Sequence, residues 1–128
     1  MTSSIAGVSI DARNTRIIAE FWRQALGWDI VEEADDGYIS LARPGTLMPT
    51  LDILPVPEGK GVKNRLHLDL RSDGSDQQSE VERLISLGAT RADVGQGPDV
   101  TWVVLADPEG NEFCVLERSV QKLEADHG

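Results

Sequence analysis

One histidine and a nearby carboxylate lie in a segment whose alternation is typical of a strand. Over residues 65–71, leucines alternate with polar or charged side chains. Side chains two residues apart in a strand point to the same face, so His67 and Asp69 are predicted to share a face with Arg65. An imidazole beside a carboxylate can act in general acid–base catalysis or ligate a divalent metal. Arg65 can bind a substrate carboxylate or pair with an aspartate.

Two further carboxylates follow the same rule in the first half of the chain. Asp11 comes two residues after Ser9, and Asp52 comes two residues before Leu54. Each pair therefore shares one face of its predicted strand. The alternative role for Asp11 is local hydrogen bonding at the entry to a helix, which is common for aspartate.

The last predicted strand carries both a carboxylate and the single cysteine of the chain. Phe113, Val115 and Glu117 are predicted on one face, and Cys114 and Leu116 on the other, packed against a helix. Cys114 is therefore interpreted as a buried apolar side chain, not a catalytic thiol. Glu117 is predicted to act with His67.

The elements that must position these residues occur twice in the same order. The predicted strands cover residues 5–12, 28–33, 38–42 and 50–54, and then 65–71, 89–94, 100–106 and 112–117. A helix with apolar residues at helical spacing follows the first strand of each half. The candidate N-caps are Asn14 or Thr15 for the first helix and Asp73, Ser75 or Asp76 for the second; the helix-ending glycines are Gly27 and Gly88.

This repetition predicts an α+β chain with a βαβββ module over 5–54, a linker over 55–64 and a second module over 65–118. Turns are predicted at 35–37, at 95–98 and at 107–111. Residues 119–128 are predicted as a polar tail with at most a helical turn.

Composition excludes several classes of protein. The chain has 128 residues, of which 40% are hydrophobic, and a net charge of −10. Such a charge disfavours nucleic acid as a partner and suits a cationic ligand. No secretory signal or membrane-spanning apolar run is visible. A single cysteine excludes a disulfide within the chain and favours the cytoplasm.

Three motifs give the chain a family resemblance. They are FW…LGW at 21–28, KNRLHLD at 63–69 and DPEGNEF at 107–113. In this order and spacing, the chain resembles the glyoxalase/bleomycin-resistance/dioxygenase (vicinal oxygen chelate) superfamily over residues 5–118, and its bacterial glyoxalase-like branch most. The resemblance implies a single glyoxalase-like domain of two tandem βαβββ modules, with curved mixed sheets, helices on the outer face and a small-molecule site in a concave cup.

The resemblance also implies a metal-ligand set on the first and fourth strands of each half. It falls on Ser9, Leu54, His67 and Glu117 in this sequence. His67 and Glu117 are good ligands for Zn, Ni, Mn or Fe, whereas serine is a poor ligand and leucine is none. We therefore predict His67 and Glu117 as catalytic and metal-binding residues. The other cup residues are expected to bind substrate: Ser9, Asp11, Asp52, Leu54, Arg65, Asp69 and Trp102.

Three functions remain open. The first is a metal-assisted lyase, isomerase or dioxygenase, although the incomplete ligand set argues against a standard glyoxalase I. The second is a metal-free protein similar to bleomycin-resistance proteins, which sequesters a small and cationic compound. The third is metal-free acid–base catalysis by His67 with Glu117 or Asp69. Trp102 is either a pocket residue or part of the core. A homodimer is expected, since two-fold pairing is the commonest assembly.

Overall fold

A computed structural model describes residues 1–93, 97 and 99–128. The chain divides into two compact units, Met1–Lys60 and Gly61–Gly128. The first unit contains β1 (Gly7–Ala12), α1 (Thr15–Leu26), β2 (Asp29–Glu33), β3 (Ile39–Ala42) and β4 (Thr50–Pro55). The second unit contains β5 (Leu68–Leu70), α2 (Gln77–Ser86), β6 (Thr90–Arg91), β7 (Val103–Ala106), β8 (Glu112–Val115) and α3 (Val120–His127).

The two units have the same strand order. The first sheet runs β1-β4-β3-β2 and the second runs β5-β8-β7-β6. In each sheet the first and fourth strands pair in parallel, and the remaining pairs are antiparallel. The predicted α+β class and the repeated βαβββ order are therefore confirmed, with open mixed sheets.

The helices begin at the capping residues that the sequence predicts, and α1 ends at the predicted glycine. The side chain of Asn14 accepts a hydrogen bond from the backbone N–H of Ile17, and Asp76 caps α2 in the same way. Gly27 follows α1 with a φ of 69°, a left-handed conformation that glycine adopts without a Cβ clash. The apolar side of α1 is fully buried against β3 and β4, and it includes Ile18 and Trp22.

The core face of each sheet follows from the register. Leu51 and Ile53 of β4 are buried, as are Phe113 and Val115 of β8. The residues between them in sequence point to the other face, because successive side chains alternate across a strand. We call that other side the polar face of each sheet.

Several strands are shorter than predicted, and the predicted tail contains a complete helix. β5 covers only three residues, so Arg65 and His67 precede it. β7 begins after Trp102 and β8 ends before Glu117. Residues 120–127 form an eight-residue helix instead of a frayed tail; Ser119 caps it. The turn predicted at 95–98, apart from Gly97, and the end of the strand predicted over 89–94 lie outside the described residues.

In the part of the chain that the structure describes, every helix is too short or too polar to cross a bilayer.

Candidate functional site

The strongest cluster of reactive side chains lies on the polar face of the second sheet. The β5–β8 register places Asp69 directly opposite Cys114. His67 lies two residues before Asp69, and its Nδ1 is 3.3 Å from Asp69 Oδ1. One ligand atom from each of His67, Asp69 and Cys114 lies within 4.8 Å of the other two. The sheet therefore brings a nitrogen, an oxygen and a sulfur donor to one place.

A tight turn fixes the strand that carries the cysteine. The Asp107 carboxylate is buried and accepts hydrogen bonds from the backbone N–H groups of Glu109 (2.9 Å) and Asn111 (3.0 Å). The Asn111 side-chain amide also donates to Asp107. β8 begins at the next residue, so this network sets where Cys114 lies. The sequence predicts the turn, and the structure adds that an aspartate closes it.

A second network ties the chain before β5 to the start of β8. The side-chain amide of Asn64 donates to Asn111 Oδ1 (3.2 Å), and the backbone N–H of Asn64 donates to Glu112 Oε2 (3.3 Å). His67 comes three residues after Asn64 and outside the regular strand. These hydrogen bonds restrain the segment that carries His67 toward the strand of Cys114.

Burial and charge control the ionisation of the thiol. Burial raises the pKa of Cys114, and the charge and hydrogen bonding of Asp69 raise it further. The positive charge of Lys63 acts in the opposite direction. Cys114 is only 6% exposed. Without a metal, the thiol is therefore held in its protonated form near neutral pH.

The donor set fits a tetrahedral divalent metal. Zinc bonds of about 2.0–2.3 Å to nitrogen, oxygen and sulfur place tetrahedral ligands about 3.3–3.8 Å apart. The 3.3 Å separation of His67 and Asp69 already meets that spacing. Thiolate and imidazole ligands suit Zn or Ni, whereas Mn prefers oxygen donors. Three protein ligands is also the number that catalytic zinc sites usually provide.

The structure reverses the predicted faces of β8 and places Glu117 beyond the strand. Cys114 is buried as predicted, but Phe113 and Val115 form the core face of the strand and Cys114 lies on the other face, opposite Asp69. Glu117 lies exposed at a bend after β8 ends. Within the described residues, the ligand cluster that contains His67 does not include Glu117. Its catalytic and metal-binding role stays a prediction that this geometry does not support.

The internal repeat points to a different residue of the last strand. The β1–β4 register pairs Asp11 with Leu54, and the β5–β8 register pairs Asp69 with Cys114. Since Asp11 matches Asp69 in the repeat, Leu54 matches Cys114 rather than Glu117. Pairing the two fourth strands by register places Cys114, and not Glu117, at the position that Leu54 occupies in the first half.

The remaining residues predicted near His67 are less constrained. Arg65 is exposed before β5, and no ion pair joins it to an aspartate within the described ranges. Trp102 is 41% exposed and precedes β7, so it is not a core residue. The roles of both in substrate binding stay predictions.

The first sheet carries its own polar face. The register places Ser9 opposite Asp52 and Asp11 opposite Leu54, and it adds Ser40 of β3 beside Asp52. Ser40 is buried, and its hydroxyl donates to Asp52 Oδ1 at 2.6 Å. The four residues predicted here are thus confirmed on one face of one sheet. Ser40 was missed because a serine at alternate positions with apolar neighbours is not a distinctive signal.

Comparisons with known proteins agree with this architecture. FosX from Listeria monocytogenes, a fosfomycin resistance protein solved with Mn(II) and a dihydroxypropylphosphonic acid, has a TM-score of 0.72 at 11% identity, covering 100% of both chains. A glyoxalase/bleomycin resistance protein/dioxygenase family enzyme from Burkholderia phytofirmans has a TM-score of 0.59 at 22% identity, covering 88% of this chain and 97% of its own. TnmS3, an antibiotic binding protein from Streptomyces, has a TM-score of 0.56 at 17% identity, covering 92% of this chain and 98% of its own.

No curated protein sequence matches the chain significantly. The family model described as "Glyoxalase-like domain" matches residues 7–116. This range includes both sheets and most of the chain, and the resemblance seen in the sequence is confirmed. The chain belongs to the glyoxalase-like domain family.

Proposed function

We propose that the chain is a metal-dependent enzyme of glyoxalase-like type, which binds a divalent metal through His67, Asp69 and Cys114 and acts on a small oxygen-containing molecule. The observation that carries the proposal is the convergence of three donor atoms within 4.8 Å on the polar face of the second sheet. The solved neighbours share only the fold at 11–22% identity, so the proposal rests on this chain's own side chains.

Each of the three residues would supply one donor atom to the metal. His67 would supply a nitrogen, and Asp69 would supply a carboxylate oxygen 3.3 Å from it. Cys114 supplies sulfur, which must lose its proton on binding, so metal uptake releases a proton. When bound there, a divalent metal would polarise a carbonyl or hold two adjacent oxygens of a small molecule. The lone thiol must stay reduced to serve, which suits the cytoplasm.

The donor set favours zinc or nickel over manganese. Sulfur is a soft ligand, and sites with one thiolate and one imidazole select borderline metals. Mn(II), which the Listeria FosX structure contains, prefers oxygen ligands. We therefore expect this chain to bind Zn or Ni much more tightly than Mn.

The metal content of the purified protein and of two variants tests the proposal. Purified protein should contain about one Zn or Ni per chain by mass spectrometry, and His67→Ala should lose it. Glu117→Gln is the matched control, because Glu117 is exposed outside the cluster and should bind metal as the wild type does. The proposal fails if the wild type binds none of these metals, or if Glu117→Gln loses metal as His67→Ala does.

A metal-free binding protein is the second candidate. It is favoured by the state of the cluster without a metal, in which Asp69 already interacts with both His67 and the protonated Cys114 thiol. This function requires no metal and predicts that a chelator leaves ligand binding unchanged. Loss of binding on chelation would exclude it.

A homodimer is part of the same proposal, because two-fold pairing is the commonest assembly. Multi-angle light scattering should give twice the 14.0 kDa chain mass. A mass of one chain at micromolar concentration would contradict it.

A further inference from the structure

Three large apolar side chains are exposed at one end of the first sheet. Ile5 is 74% exposed, Leu47 is 93% exposed and Met48 is 54% exposed. β1 and β4 run in parallel, and the backbone N–H of Thr50 donates to the carbonyl oxygen of Ala6 at 2.9 Å. The residues just before the two strands therefore enter the sheet at the same end. We call Ile5, Leu47 and Met48 the strand-entry patch.

A closed turn holds the loop that carries two of these side chains. The backbone N–H and the hydroxyl of Thr46 both donate to the carbonyl oxygen of Arg43, at 3.0 and 2.8 Å. Gly45, between them, has a φ of 78°, which glycine adopts without a Cβ clash. Leu47 follows this turn directly. A loop that is already ordered loses less conformational entropy when a partner covers it.

The strand-entry patch lies in parts of the sequence that carry no acidic residue. The chain has 22 acidic side chains and a net charge of −10, yet none of the 22 falls within residues 1–10 or 37–51. Arg43 is the only charged side chain in these two stretches. The patch therefore combines exposed apolar side chains with an absence of acidic neighbours in its own segments.

This charge pattern favours a second copy of the chain as the partner that covers the patch. Two chains of net charge −10 repel each other over their acidic surfaces. A cationic partner would be attracted to those acidic surfaces, and not to a patch without acidic groups. A second copy can approach where both surfaces lack acidic groups, and the burial of exposed apolar side chains there favours association.

We propose that the strand-entry patch is the contact between two copies of the chain, in which each patch packs against the same patch of the other copy across a two-fold axis. A two-fold contact brings the same surface of both copies together, so each of the three side chains is buried once in each copy. This contact rests on the homodimer proposed above and supplies its surface. It uses residues of the first unit alone and does not depend on the metal.

Light scattering of the full chain and of matched variants, with a chelator present, tests the patch. The wild type should have twice the 14.0 kDa chain mass at micromolar concentration. Leu47→Asp places a carboxylate on each side of the contact, so the dissociation constant of the dimer should rise by at least about a hundredfold. Val62→Asp is the control, because Val62 is 80% exposed in the second unit and its replacement should leave the dimer unchanged.

A pair of opposite charges tests whether the patch contacts itself. Leu47→Lys should also give single chains, and an equimolar mixture of Leu47→Asp and Leu47→Lys should restore the dimer. A dimer that both variants leave intact, or a mixture that stays monomeric, overturns the proposed contact while the homodimer stands. A wild type of single-chain mass overturns both, and its sedimentation with phosphatidylcholine vesicles, if lost in Leu47→Asp, would assign the patch to a lipid surface. If circular dichroism shows that one variant is unfolded, the other decides alone.

Discussion

Replacing Asp107 by alanine removes the carboxylate that closes the turn before β8. Asp107 is 2% exposed and accepts two backbone and one side-chain amide donors at 2.9–3.2 Å. A hydrogen bond to a charged group contributes about 1.5–3 kcal/mol. Because Glu109 and Asn111 are half-buried, water replaces part of what is lost. We expect a loss of about 2–4 kcal/mol in the free energy of unfolding.

Urea denaturation followed by circular dichroism measures this loss. Asp107→Asn keeps one acceptor oxygen without the charge and should lose less than half as much. Asp35→Ala, at an exposed position in a turn of the first unit, should change the free energy by less than about 0.5 kcal/mol. The reasoning is refuted if Asp107→Ala is as stable as Asp35→Ala. A folded Asp107→Ala protein should also bind metal more weakly, since Cys114 follows this turn.

Three further changes have defined outcomes. Asp69→Asn should lower the pKa of the Cys114 thiol, because the Asp69 charge raises it; alkylation by iodoacetamide, in metal-free protein at fixed pH, should then be faster, and an unchanged rate would contradict this. Trp22→Ala empties a fully buried position and should lower the free energy of unfolding by about 3–5 kcal/mol in urea denaturation. Asp76→Ala removes the cap of α2 and should cost about 1 kcal/mol, whereas Ser75→Ala, outside the cap, should cost almost nothing; equal costs would be inconsistent with the cap.

The sequence predicts the helices and their caps because those signals are local. Asn14 and Gly27 lie at the two ends of α1, and the apolar spacing between them is helical. The repeated order of elements is readable for the same reason, since each half carries its own helix-ending glycine.

Local sequence signals do not show which face of β8 is buried. Residues 113–116 are Phe-Cys-Val-Leu, so both faces are apolar and the alternation that identifies a core face is lost. The pairing of β8 with β5 shows that Cys114 lies opposite Asp69, while Phe113 is buried. Glu117 lies outside the strand, because β8 ends at Val115, and its role stays a prediction.

The polar face of the first sheet shows both what alternation within a strand predicts and what it leaves open. Ser9, Asp11, Asp52 and Leu54 were placed on one face by alternation within single strands, and the register confirms it. The contribution of Ser40 depends on which strand lies beside β4, which periodicity alone does not specify. Contacts between strands thus account for what the sequence did not reveal.

Absorption spectroscopy of the protein with Co(II) tests the central claim most directly. Co(II) substitutes for zinc and reports its ligands, because a bound thiolate gives a charge-transfer band in the near ultraviolet. We expect this band at one equivalent of Co(II) in the wild type and in Glu117→Gln, and we expect no such band in Cys114→Ser. A site built from His67, Asp69 and Cys114 would be contradicted if the wild type bound one equivalent of Co(II) without a thiolate band. It would also be contradicted if Glu117→Gln lost the metal while Cys114→Ser kept it.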